Sequence, residues 1–136
     1  MNLPIGYQTF HKETFFNYQM NRLHALGYAR EADIKKAASQ IKTRADYVHA
    51  FLQLAEEAKR DGRFKNAAFY LRAAEFFAEH GSAQRLAIYQ DFQDTFYAAF
   101  ADEGIVRHEV PYNGSVLPAM ELPSAAQPAK GTVLIF

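Results

Sequence analysis

The chain has 136 residues, 15 of them basic and 15 acidic, and no cysteine. That length admits one ordinary domain and excludes two full ones. Zero formal charge removes any general attraction to phosphate backbones or anionic membranes, so neither nucleic acid nor membrane is an expected partner. The absence of thiols excludes disulfides and thiolate metal sites and is compatible with a reducing cytoplasm, the expected compartment.

Apolar residues at 49% and charged residues at 22% give the balance of a soluble globular protein. Twelve Phe and eight Tyr, with no Trp, raise the aromatic share to 15%, which favours a large core, an interface or a ligand-lining wall. The opening Met1-Asn2-Leu3-Pro4-Ile5-Gly6 carries neither a basic segment nor a long apolar run and does not read as a signal peptide. No apolar stretch approaches the ~20 residues of a membrane helix.

Five helices are expected from apolar spacing and punctuation. The first covers about 12–26, with Phe16, Met20 and Leu23 on one face and Gly27 as a stop. The second, about 30–41, aligns Ile34, Ala37, Ala38 and Ile41, and the third, about 44–60, buries Val48, Phe51, Leu52 and Ala55 before Asp61-Gly62. The fourth, about 64–79, carries Ala67, Leu71, Ala74 and Ala78 and ends at His80-Gly81. Ser82 caps the fifth, which runs to about Phe100 through Leu86, Tyr89, Phe92 and Phe96. A left-handed glycine is expected at the end of the first, third and fourth helices.

The pattern changes at Asp102-Glu103-Gly104. Val106, His108, Val110 and Tyr112 alternate with Arg107, Glu109 and Pro111, the period of a half-buried strand. Asn113-Gly114 signals a two-residue hairpin turn, and 115–122 returns as a second strand in which Pro118 marks an edge or a bulge. After a small-residue linker over 123–130, residues 131–136 form an unbroken apolar, β-branched run that reads as a strand buried on both faces. The expected setting is a larger α/β domain of which this chain holds the opening strands. The alternative is an isolated three-stranded sheet packed on the helices. The division falls into a helical domain over 1–102 and the strands over 103–136.

Phe51, Leu54, Ala55 and Ala58, then Gly62, Phe64, Ala67, Leu71 and Ala74, stand at the offsets of one tetratricopeptide (TPR) repeat, with Phe64 filling the space beside the turn. Glu79 occupies the usual proline position, and a single repeat forms no groove, so a TPR-like hairpin within another fold is expected. The five histidines lack paired ligand spacing, with His24 and His49 expected on helix surfaces or packing edges. No metal or cofactor is expected. None of Ser39, Ser82, Ser115 and Ser124 sits in a nucleophile elbow, so the chain alone is expected to be inactive as an enzyme. Tyr70 and Phe77 on the fourth helix, and Tyr89, Phe92, Phe96 and Tyr97 on the fifth, exceed one buried stripe. They are the candidates for an interface or a pocket wall.

The order of helices, the strand Val106-Arg107-His108-Glu109-Val110-Pro111-Tyr112, the Asn-Gly turn, Leu117-Pro118-Ala119, a Pro/Ala linker and 130–136 resembles the start of an α/β-hydrolase. The nearer likeness is to the branch with an N-terminal helical cap domain, the 2,6-dihydroxypseudooxynicotine hydrolase-like and esterase- or acyl-peptidase-like proteins. There Arg63-Phe64-Lys65-Asn66-Ala67 and 70–77 match an alanine- and aromatic-rich helical hairpin. The resemblance spans about 45–136. It implies that Phe136 closes the strand before a glycine-rich oxyanion loop and that nucleophile, acid and histidine all follow later. It also implies a helical domain that covers the active site, shapes access for a small-molecule substrate of the whole enzyme and contributes to a homodimer. Such a parent would cleave an ester, amide or carbon–carbon bond through an acyl-type intermediate. The alternative function is a small TPR-like protein-interaction module.

Overall fold

Thr43 fixes the start of one of the two longest helices by a reciprocal capping box. Its hydroxyl accepts from the Asp46 N–H at 3.2 Å while the Asp46 carboxylate accepts from the Thr43 N–H at 2.8 Å. The far end closes on Gly62 at φ +70°, where the Gly62 N–H reaches the Lys59 carbonyl at 3.0 Å and the Arg63 N–H reaches that of Ala58 at 2.7 Å. Between these caps runs α3 (Arg44–Arg60). The computed structural model describes residues 6–126 and 128–135. Before α3 come α1 (Thr14–Ala25) and α2 (Glu31–Ala38); after it come α4 (Phe64–Phe77) and α5 (Ala83–Ala99). A 3-10 turn, Ala101–Glu103, precedes β1 (Val106–Tyr112) and β2 (Ser115–Glu121). The chain is therefore mainly α, five helices followed by a two-stranded antiparallel hairpin. Contacts among the described residues divide between Ala99 and Phe100 into two units.

The helical unit is built on the α3–α4 pair. Ala55, Ala58, Ala67 and Ala74 are fully buried, and their small side chains let the two backbones approach. Phe51, Leu54 and Leu71 fill the same seam. Ile34, Ala37, Ala38 and Ile41 of the second helical region are buried as their spacing predicts, and so are Phe16 and Met20 of α1. Phe64 differs: it is 46% exposed and does not fill the turn, because the helix it opens turns that position outward while Ala67, Tyr70 and Leu71 face the core.

Two buried asparagines, Asn17 and Asn21, anchor the segment before α1. Asn17 Oδ1 accepts from the Phe10 N–H at 2.7 Å, and Asn21 Oδ1 and Nδ2 pair with the Gln8 N–H and carbonyl, both at 2.8 Å. The α1 end repeats the glycine closure at Gly27 (φ +72°), with the Tyr28 N–H on the Leu23 carbonyl at 3.0 Å. The fourth helix does not end this way. It stops at Phe77 because Ala78 is already extended (ψ 149°), and Gly81 lies in the following turn.

Ser82 does cap α5, its Oγ accepting from the Arg85 N–H at 3.1 Å. The face that α5 buries is not the expected one. Ile88 and Thr95 are buried with Phe92 packed beside them, whereas Leu86 and Tyr89 are 59% and 42% exposed. Apolar side chains surround this helix, so periodicity alone cannot select the face. Tertiary packing of Ile88 and Phe92 onto the core does, and two ion pairs across helices accompany it: Lys59 with Asp91 at 2.7 Å and Arg85 with Glu75 at 2.6 Å.

In the second unit β1 and β2 pair from Val106↔Glu121 to Tyr112↔Ser115. Asn113 and Gly114 both have positive φ, 46° and 76°, the type I′ turn whose twist suits a two-residue hairpin. Every residue of both strands is exposed. The strand expected over 131–136 is absent from the described residues: 131–135 has no regular structure, with Val133 85% and Ile135 93% exposed. Phe136 lies outside the described residues. A strand needs a hydrogen-bonding neighbour, and β1 and β2 form a two-stranded sheet with each other. Among the described residues the three-stranded alternative is likewise not formed. No helix among the described residues is long and apolar enough to cross a membrane.

Candidate functional site

The six aromatic candidates separate. Tyr70 is wholly buried, its hydroxyl donating to Asp33 Oδ2 at 2.8 Å and accepting from the Arg30 N–H at 3.2 Å. Asp33 Oδ2 also receives Arg63 Nη1 at 2.9 Å, so this ring ties α4 to α2 and lines neither cavity described below. Tyr89, Phe92, Phe96 and Tyr97 form a ladder along α5 with centroid spacings of 6.1, 5.8 and 5.8 Å, also away from both cavities. Phe77 lines both.

The larger cavity, about 780 Å³, opens between the first half of α3, the end of α4 and the start of α5. Val48, Leu52, Phe76 and Phe77 supply its apolar wall, and Arg44, His49, His80 and Arg85 bring nitrogen groups to it. His49 Nε2 is bonded to the Gln53 amide at 3.0 Å, and Arg85 is committed to Glu75. Ser82 lies close in sequence, but its hydroxyl donates to the Glu79 carbonyl at 2.7 Å while capping α5. Ser39 and Ser124 likewise donate to backbone carbonyls.

The smaller cavity, about 250 Å³, lies between α1 and α4. Leu23, Leu26, Tyr28, Phe69, Phe76 and Phe77 enclose it, with Gln19, Arg22 and Arg72 also in its lining. Tyr28 lies flat on Phe69 at 3.6 Å. Tyr47 is the one residue of α3 in this lining, and it is wholly buried behind the cavity surface, its ring among those of Phe51 (4.3 Å), Phe77 (4.2 Å) and Phe16 (5.5 Å). Its hydroxyl is buried without a hydrogen-bond partner, and burial pushes the phenol well above its usual pKa.

His24 is buried, not peripheral: the segment anchored by Asn17 and Asn21 brings Phe10 edge-on to its ring at 5.4 Å, and Nδ1 has no partner. His11 is fixed by accepting from the Glu13 N–H through Nδ1, which leaves Nε2 to donate to the Ile41 carbonyl at 3.0 Å. Among the described residues, no three His, Cys, Asp or Glu side chains converge to hold a metal ion. Tyr47, Tyr28 and Phe69 escape sequence reasoning because the cavity joins positions far apart in the chain. Tyr47 stands outside the stripe of Val48, Phe51, Leu52 and Ala55 that the spacing selects on the third helix, yet it is wholly buried.

No protein-family profile matches the chain, and no curated protein shows significant similarity to it. The arrangement suits binding of apolar and aromatic groups between helices.

Proposed function

We propose that this chain is the N-terminal helical cap and the opening strands of a serine-type α/β-hydrolase, in the cytoplasm. In this reading it shapes access for a small-molecule substrate and takes part in homodimer contacts, while the nucleophile, acid and histidine lie beyond Phe136. The observation that carries the reading is the hairpin followed by Thr132-Val133-Leu134-Ile135. Both strands of the hairpin are exposed along their whole length, and so are the apolar side chains of Val133, Leu134 and Ile135. Such a run is stabilised as an inner strand of a covered sheet, and further strands and helices would supply that cover. The helical unit with two aromatic-walled cavities supports a covering role.

The test joins gene and protein. The reading frame is expected to continue into a glycine-rich loop and a later G-x-S-x-G, and the full product is expected to label with a fluorophosphonate. The isolated 136-residue protein should hydrolyse no member of a p-nitrophenyl ester panel. A stop codon after Phe136, or serine-dependent turnover by the isolated chain, overturns the proposal. The stop codon would favour the helical interaction module instead, for which the buried Phe51, Leu54, Ala55, Ala58, Ala67, Leu71 and Ala74 of the α3–α4 hairpin are the supporting observation.

A further inference from the structure

We propose that residues 7–13 form a strap that two neutral histidines, His11 and His24, hold closed on α1 and that opens when they take up protons. The inference stands on the helical unit alone and does not depend on the hydrolase reading. Asn17 and Asn21, both buried, grip the strap backbone. The Phe10 and His11 N–H groups donate to Asn17 Oδ1 at 2.7 and 3.1 Å, and Gln8 meets Asn21 through both its N–H and its carbonyl at 2.8 Å. Amides do not titrate between pH 5 and 8, so a response of the strap to protons in that range falls to the histidines beside them.

His11 ties the strap to the end of the second helical region. Its Nδ1 accepts from the Glu13 N–H at 2.9 Å while Nε2 donates to the Ile41 carbonyl at 3.0 Å, and its ring stands edge-on to Phe16 at 5.3 Å. Only a neutral ring protonated on Nε2 satisfies both bonds. A second proton makes Nδ1 a donor facing another donor, and the turn through Glu13 loses its bond. The charged residues next to this contact in the chain are Lys12, Glu13 and Lys42, with Asp46 bonded to the Lys42 N–H in the cap of α3.

His24 lies behind Phe10. It is 7% exposed, the Phe10 ring stands edge-on to it at 5.4 Å, and Nδ1 has no partner among the described residues. An imidazolium carries N–H on both nitrogens, so protonation leaves a charged donor buried without an acceptor. Lifting Phe10 away gives that donor to water. Glu31, its acidic neighbour on α2, is exposed and paired with Lys35 at 2.6 Å. Glu31 is no part of the strap, so it attracts the imidazolium in the closed and the open form alike. The same holds for the C-terminal dipole of α1, whose last turn carries His24. The open strap therefore binds more protons than the closed one. Closure is complete above pH ~7 and weakens as pH falls through ~6.5, the ordinary value of a freed imidazole.

The test follows the intact 136-residue protein from pH 8 to pH 5 by amide hydrogen exchange, corrected for intrinsic rates, and by imidazole nitrogen shifts. At pH ~5.5 one coupled histidine should lower the protection of the Gln8, Phe10 and His11 amides about tenfold, and two about a hundredfold. Amides of α3 and α4 and the helical circular dichroism should hold, and the loss should track protonation of the His11 and His24 rings. His11→Asn keeps an acceptor for the Glu13 N–H, His24→Leu keeps an apolar partner for Phe10, and neither new side chain takes up a proton. The double variant, checked for folding by circular dichroism, should keep its strap protection at pH ~5.5. Protection that does not change over the range, that falls together with α3 and α4, or that falls as far in the double variant would each overturn the proposal. If the double variant does not fold, the wild type decides: ring protonation without loss of strap protection refutes the device.

Discussion

Tyr47 and Tyr70 have the same side chain, are equally buried, and should respond oppositely to loss of the hydroxyl. Tyr70 Oη links Asp33 to the Arg30 N–H, so Tyr70→Phe strands a buried carboxylate contact and should cost about 1–2 kcal/mol. Tyr47 Oη bonds to nothing in the protein, so Tyr47→Phe should leave stability unchanged or raise it by up to ~1 kcal/mol. Urea titration of both variants checks the contrast, and an equal loss in each would refute it. Burial lifts both phenols above their ordinary value of 10.0. In alkali the unfolded chain therefore releases these protons before the folded one does. Their contribution is complete below pH ~10 and declines as pH rises toward the folded values, by up to about 1.4 kcal/mol per pH unit for each phenol. Denaturant midpoints measured from pH 8 to pH 11 should fall only at the upper end, and less steeply in Tyr47→Phe. Sequence periodicity places neither tyrosine in the core: Tyr70 stands among the candidates for an interface or a pocket wall, and Tyr47 lies off the expected stripe of the third helix. Periodicity also carries no information on whether Asp33, 37 positions away, accepts from the Tyr70 hydroxyl.

At the scale of elements, legibility follows how local the determining interaction is. The bounds of α3 match the expected 44–60 because both ends are closed by residues within five positions of them: Thr43 with Asp46, and Gly62 with Arg63. The Asn113-Gly114 turn is local in the same sense and was equally readable. The buried face of α5 was not, because Leu86, Ile88, Tyr89, Phe92, Phe96 and Tyr97 surround the helix and the choice rests on contacts with α3 and α4. The small cavity was unreadable for the same reason: it joins Arg22, Tyr47 and Arg72 from three helices. If local closure sets α3, damage at either end should be similar and modest. Thr43→Ala should cost about 1 kcal/mol through the lost cap. Gly62→Ala should cost about 1–2 kcal/mol for a side chain at positive φ, since an added Cβ meets no atom within 4 Å. Chemical denaturation of the two variants tests this; a loss well beyond ~2 kcal/mol in either would mean that the cap also positions tertiary contacts.

For the whole molecule, the contrast between its two units decides what it should do in solution. The helical unit buries a continuous cluster from Phe16 through Tyr47 and Phe51 to Leu71 and Ile88, with its caps complete by Ser82. The second unit is a hairpin exposed on every residue and an apolar tail, and a lone two-stranded hairpin is at best marginally stable in water. A chain ended after Asp102 should therefore keep a cooperative helical melt. The intact chain should associate, because Val133, Leu134 and Ile135 offer exposed apolar surface and the hairpin offers open strand edges. A standard interface needs ~800 Å² from each partner, and a twofold dimer is the commonest way to bury it. Val133→Lys with Ile135→Lys should weaken association by placing two charges on the tail, while Phe92→Ala with Phe96→Ala, on the α5 ring ladder, should not. Sedimentation velocity over a hundredfold concentration range separates the outcomes. A monomeric intact chain would remove self-association altogether. A dimer that survives both lysines and truncation after Asp102, yet dissociates when the α5 phenylalanines are replaced, would transfer the interface to the helical unit and leave the tail as surface for strands of the same chain.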